Sequence, residues 1–175
     1  MLNTIFLIGY MGAGKSVVGR LLSQINGFNF YDLDEYIEVK EGKKVSEIFN
    51  ENNEVYFRKI ENKYLKEISL LKENKIISTG GGTPCFQNNF EIINESSNST
   101  SIYLKANIDV LVNRLKNSNN DRPLISHLTD ENKLKEFITK HLFERSYYYE
   151  KSKIKLVTDN LEPSEIVKLI TNRLA

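Results

Sequence analysis

The run Gly9-Tyr10-Met11-Gly12-Ala13-Gly14-Lys15-Ser16 constrains this chain more than any other stretch. It fits the pattern G-x-x-x-x-G-K-[ST], a loop that wraps a polyphosphate. The apolar run before it, residues 4–8, reads as a buried strand. After it, Val17, Val18, Leu21, Leu22 and Ile25 recur at helical spacing. The motif therefore sits between a strand and a helix, where its mechanism needs it. Glycines let backbone N–H groups curl around an anion without Cβ clashes. The helix start points its positive end at the same anion. Lys15 is placed to reach the terminal phosphates, and the Ser16 hydroxyl to bind Mg²⁺.

Length and composition narrow the rest. At 175 residues the chain is expected to form one domain with a real core. A net charge of +1 points to neither nucleic acid nor membrane as a partner. No apolar run approaches a membrane span, and residues 4–8 are too short for a secretory signal. The one cysteine, Cys85, rules out an internal disulfide and a cysteine-built zinc site. A reducing cytosol is the expected compartment. Cys85 itself reads as a small packed residue rather than a nucleophile.

Strand-like runs at residues 4–8, 29–31, 75–78, 101–104 and 153–157 alternate with helical patterns. That order predicts a layered α/β fold with a parallel sheet. Ligands of such sheets bind at the carboxyl ends of the strands, so the residues just after each strand are the candidates. Asp32-Leu33-Asp34 follows the second strand and offers two carboxylates, for a metal and a substrate; alternatively Asp34 caps the helix after it. Ser46 is the expected cap of a short helix at 47–50, and a longer helix is expected over 54–71. On that helix Arg58 and Glu61 are three apart. They are either a surface ion pair or an arginine fork for a ligand carboxylate, held by Glu61. Gly80, Gly81 and Gly82 end the third strand. Three glycines exceed what a turn needs, and so point to a ligand against bare backbone. Residues 117–124 are polar, rich in helix breakers and carry Arg122. They read as a mobile lid, and Arg122 is either an ordinary exposed arginine or one that stabilises a transferring phosphoryl group. A long helix over 129–149, with Thr129 as its cap, puts Arg145 on an otherwise apolar face, where it needs a counter-charge from a bound anion or a core carboxylate. His141 reads as a packed histidine and His127 as loop.

This ordered set resembles the shikimate kinases, within the nucleoside-monophosphate-kinase-like P-loop group. The resemblance rests on residues 9–16, Asp32-Leu33-Asp34, Phe57-Arg58-x-x-Glu61, Gly80-Gly81-Gly82, Arg122-Pro123-Leu124 and Arg145-x-x-Tyr148, and it spans nearly the whole chain. It implies a five-stranded parallel sheet of order 2-3-1-4-5, flanked by helices, in a single domain over residues 1–175. It also implies transfer of the γ-phosphate of ATP to the 3-hydroxyl of shikimate, with Mg²⁺, on the route to chorismate and aromatic amino acids. The implied substrate-binding region is about 34–61 and the lid about 117–124. The resemblance assigns Gly12, Ala13, Gly14, Lys15, Ser16, Val17, Arg114, Arg122 and Pro163 to the nucleotide. Ser16 and Asp32 go to the metal. Asp34, Arg58, Gly80, Gly81, Gly82 and Arg145 go to shikimate, and Lys15, Asp34 and Arg122 to catalysis. Of the nucleotide set, Arg114 and Pro163 are expected to flank adenine. Val17 departs from the family, in which many members have threonine after the magnesium serine. A cytoplasmic monomer with small-molecule substrates is expected.

Two rivals compete with this reading. A gluconate kinase would not need two arginines converging on a carboxylate beside a cyclic polyol. A P-loop regulator would show slow hydrolysis without any acceptor.

Overall fold

The computed structural model describes residues 4–95, 98–117, 124–125, 128 and 130–174. Five strands form one sheet in the order β2-β3-β1-β4-β5, with every neighbouring pair parallel. They are β1 (Thr4–Ile8), β2 (Asn29–Asp32), β3 (Lys75–Ser78), β4 (Ser99–Lys105) and β5 (Ile154–Val157). All of β1 and β3 is buried, as strands covered on both faces should be, and β1 is accordingly almost continuously apolar. The edge strands β2 and β5 are only partly covered.

Eight helices flank the sheet among the described residues: α1 (Lys15–Asn26), α2 (Leu33–Glu41), α3 (Val45–Glu51), α4 (Glu54–Ser69), α5 (Asn89–Asn94), α6 (Ile108–Lys116), α7 (Glu131–Tyr149) and α8 (Pro163–Leu174). None is long and apolar enough to cross a membrane.

Local chemistry explains where these elements differ from the sequence expectation. Asp32, not Asp34, caps α2: its carboxylate accepts from the Asp34 amide at 3.1 Å. α3 starts at Val45, one turn position before the expected Ser46 cap, because the Glu47 and Glu38 carboxylates take the Lys44 and Val45 amides. α4 stops at Ser69, whose hydroxyl bonds back to the Leu65 carbonyl. Asp130 caps α7 through the Lys133 amide; the expected cap Thr129 lies outside the described residues, as does His127. On α1 the buried face is Val18, Gly19 and Leu22, while Val17 and Ile25 are exposed. The spacing alone had put all the apolar residues on one face.

Register decides where chemistry can occur. Asp32 pairs with Ser78 across β2 and β3, and Leu7 of β1 is level with the same Ser78. β2 and β3 therefore end level with each other and one residue short of the end of β1, and the residues that leave the three strands meet. α1 is held close over β2 by Gly19. A Cβ there would lie 2.3 Å from the Phe30 ring and 3.1 Å from Leu7. For G19A, helix propensity favours alanine by about 1 kcal/mol, but overpacking costs about 1–3 kcal/mol. The expected net result is a lower urea midpoint, with the slope unchanged. A raised midpoint would show that Phe30 yields freely.

Candidate active site

One cleft of about 1120 Å³ opens at the carboxyl ends of β1, β2 and β3. Its floor at one end is the glycine loop. Gly12 and Gly14 have φ of 83° and 90°, a region that favours glycine. Gly14 begins α1 with no side-chain cap, so the helix N-terminus faces the loop. Lys15 is buried and curls back, its Nζ donating to the Gly9 and Tyr10 carbonyls at 2.8 and 3.0 Å. Ala13 is buried, whereas Val17 is 58% exposed and lines the cleft. Arg114 of α6 donates from Nη1 to the Gly12 carbonyl at 3.2 Å, so it also steadies the loop. Pro163 begins α8 and lines the same end of the cleft, with Leu161 and Ile166 beside it.

Ser16, Asp32 and Ser78 meet next to this loop. The Ser16 hydroxyl donates to Asp32 Oδ2 at 2.5 Å and lies 3.4 Å from Ser78 Oγ. One carboxylate and two hydroxyls make an all-oxygen donor set of the kind Mg²⁺ takes. The set is too thin to cage an ion unaided, and fits one that arrives with phosphate and water ligands. Ser78 was missed from the sequence; the β2–β3 register alone puts it here.

Asp34 lines the cleft and its side chain is exposed to it. The protein crowded around that opening, with the neighbouring Asp32 and Glu61 carboxylates, pushes its carboxyl from 3.8 up to about 7, against the opposing pull of Lys15 and Arg58.

At the other end are the two arginines. Arg58 is not on the surface: its side chain is 8% exposed and Glu61 is fully buried. Nη1 donates to Glu61 Oε2 at 2.9 Å, and Thr83 Oγ1 donates to the other Glu61 oxygen at 2.7 Å. The guanidinium lies against Gly82, where a Cβ would sit 2.6 Å from Nη2, and over the Phe86 ring at 4.2 Å. Arg145 lies near Gly81 at ordinary contact distance, a Cβ there being 3.5 Å from Nη1, and sits 5.6 Å from the centroid of the Tyr10 ring. It is buried, yet pairs with no carboxylate among the described residues. The sequence asked what balances a buried Arg145; no described core carboxylate does.

The glycine triplet thus has a reason beyond ligand approach. Gly80 makes room for Thr83, Glu61 and Asp34, Gly82 makes room for Arg58, and Gly81 lets the Met11 backbone approach. Thr83, Phe86 and Tyr149, whose hydroxyl donates to the Gly81 carbonyl, were not legible as site residues because their roles depend on contacts across elements. Burial pushes the Cys85 thiol up to about 11, which suits the packed role. His141 is half-buried against Phe137, 3.4 Å from the Tyr10 hydroxyl; burial and Arg145 hold its pKa down. Arg122 lies outside the described residues, while Leu124, at the end of the expected lid, lines the cleft.

A glycine loop heading a helix, a lysine inside it and a hydroxyl–carboxylate pair beside it define a P-loop phosphotransferase. The cleft's far end makes it one with an anionic acceptor site. Comparison with known proteins carries this further. The family model for shikimate kinase matches residues 11–175. A shikimate kinase of Flavobacterium johnsoniae is 44% identical over 174 residues, covering 99% of this chain and 100% of its own. Among solved structures, shikimate kinase from Bacteroides thetaiotaomicron superposes with a TM-score of 0.91 at 35% identity, covering 98% of this chain and 97% of that one. The Acinetobacter baumannii enzyme, solved in complex with shikimate, gives 0.89 at 28% identity over 99% of this chain and 93% of that one. The chain belongs to the shikimate kinase family. Its activity is the ATP-dependent phosphorylation of shikimate in aromatic biosynthesis.

The raised Asp34 carboxyl has a stability signature in the ligand-free protein. Between about pH 4 and pH 7 the folded chain holds a proton that the unfolded chain has lost, so stability from this group falls as pH rises through that window. The D34N variant has no such loss. Its melting temperature relative to wild type should therefore climb from about pH 4 to pH 7 and level off above. A difference that stays flat across this range would remove the shift.

Proposed function

We propose that this one cleft carries the γ-phosphate of ATP to the 3-hydroxyl of shikimate, giving shikimate 3-phosphate and ADP. The observation that carries the residue assignment is the continuity of the cleft. It runs from a phosphate loop to two buried guanidinium groups, one of them without a carboxylate partner among the described residues. An acceptor with a carboxylate at one end and a hydroxyl at the other spans that distance with its hydroxyl toward the loop.

In this reading Gly12, Ala13, Gly14, Lys15, Ser16 and Val17 hold the nucleotide phosphates, and Arg114 and Pro163 flank the adenine. Lys15 stays where it is now, its Nζ already aimed into the loop by two carbonyls, and meets negative charge as it moves outward from the γ-phosphoryl group. Ser16 and Asp32 hold Mg²⁺, which when bound supplies positive charge to the phosphates. Asp34 accepts a hydrogen bond from the acceptor hydroxyl and takes its proton late in the transfer, so it need not be a strong base. Arg58 and Arg145 fork the shikimate carboxylate, and Gly80, Gly81 and Gly82 let the ring approach backbone. Arg122 caps the phosphates from the lid at about 117–124, and the substrate-binding region runs from about 34 to 61. The whole chain is one domain, working as a cytoplasmic monomer without nucleic acid or membrane.

Two measurements test these roles. K15M should keep its fold and lose roughly 10³-fold in kcat, because a contact to developing charge is gone; activity within about threefold of wild type would contradict it. R145A should cost about 2–4 kcal/mol of shikimate binding in a calorimetric titration while ADP affinity holds. Lysine in its place should rescue little, since it lacks the planar fork. Normal shikimate binding by R145A would make Arg145 a packing residue.

A further inference from the structure

Resting on the carboxylate reading of the cleft, we propose that Glu54 is a built-in competitor for the substrate carboxylate, occupying Arg58 in the ligand-free enzyme and leaving when shikimate binds.

The two arginines of the cleft differ in state. Arg145 pairs with no described carboxylate, whereas Arg58 holds two. Glu61 takes Nη1 at 2.9 Å. Glu54 Oε1 takes both Nε and Nη2, at 3.2 and 3.0 Å. That edge is the side fork of the guanidinium, one of the two edges able to grip a carboxylate with parallel N–H bonds. The planar face is covered by Gly82 and Phe86. Two carboxylates on one guanidinium also leave a local charge of about −1, which repels a third carboxylate. A carboxylate substrate thus gains the side fork of Arg58 only after its resident carboxylate has gone.

Burial decides which one goes. Glu61 is fully buried, and both of its oxygens are tied, to Arg58 and to Thr83. Releasing it would strand a charge in the core. Glu54 is 49% exposed, and among the described residues its carboxylate bonds to Arg58 alone. It stands in the first turn of α4, after the Asn53 cap, where a carboxylate facing water is still favoured by the helix N-terminus. The i,i+4 spacing brings it to Arg58, and a rotamer change takes it away. The pair keeps Arg58 ordered and neutralised without substrate. It also sets a condition on entry: a ligand without a carboxylate gives Arg58 nothing in exchange for Glu54.

The test is calorimetric titration of E54Q and E54A with shikimate, and separately with Mg²⁺·ADP. Freeing Arg58 should lower the Kd for shikimate about three- to tenfold, the population penalty of a partly exposed pair, and should lower KM while leaving ADP affinity as in wild type. A folding defect cannot tighten binding, so the direction separates competition from a structural role. Unchanged or weaker shikimate binding in both variants would overturn the proposal; weakening would make Glu54 a positioning residue for Arg58. R58A run beside them separates the two levels. If R58A binds shikimate as wild type does, the carboxylate reading of this arginine fails, and the competitor role with it. If R58A loses binding and the Glu54 variants do not gain it, only the competitor role fails.

Discussion

The in-register pairing of β1, β2 and β3 is the constraint from which the rest of the molecule follows. Leu7, Asp32 and Ser78 lie at one level of the sheet. Because the strands are parallel, all three leave it on the same side, into the glycine loop, the Asp32–Asp34 turn and the glycine triplet. Parallel pairing needs helical crossovers, and these crossovers supply the other walls of the cleft. A slip of one residue in β2 would turn Asp32 to the opposite face and separate it from Ser16.

Upon that frame the acceptor end is built from desolvated charge. A guanidinium taken out of water is tolerated only with partners. Arg58 finds Glu61 and Glu54, its plane packed on bare backbone and an aromatic ring. Arg145 is buried without a carboxylate among the described residues, so an incoming anion meets a charge that no described carboxylate neutralises. In the proposed reading the asymmetry gives binding an order in space: the carboxylate is drawn to Arg145 and completes its site on Arg58, with the ring over the glycines and a hydroxyl near Asp34. The proton affinity of Asp34 is raised by its desolvated surroundings first and by the Asp32 and Glu61 carboxylates second.

Much of this was legible in the sequence, for physical reasons. The glycine loop has one mechanical use between a strand and a helix, and alternating apolar runs give the sheet. The triplet of glycines was visible as costly backbone. Its cause was half-read, since the groups pressing on Gly82 and Gly80 belong to the protein itself. Arg58 and Glu61 stood open between a surface ion pair and a fork for a ligand carboxylate, because three-residue spacing cannot tell on which side of a helix solvent lies; the structure buries both, which removes the surface pair. Ser78, Thr83 and Glu54 were not legible as site residues. Their roles depend on strand register, on a short 3₁₀ turn and on which carboxylate a buried arginine can reach. Helix ends moved for a similar reason, as when Glu38 and Glu47 rather than Ser46 settled the start of α3.

Carboxylate selection by the arginine end of a phosphate-loop cleft is tested most directly by ADP release from wild-type protein with Mg²⁺·ATP and a panel of acceptors. Shikimate, gluconate and nucleoside monophosphates are compared with no acceptor at all. Shikimate alone is expected to raise ADP release far above the acceptor-free rate, with one shikimate 3-phosphate formed per ADP. Release that is equal with gluconate, or independent of any acceptor, would contradict the assignment of the arginine end to shikimate.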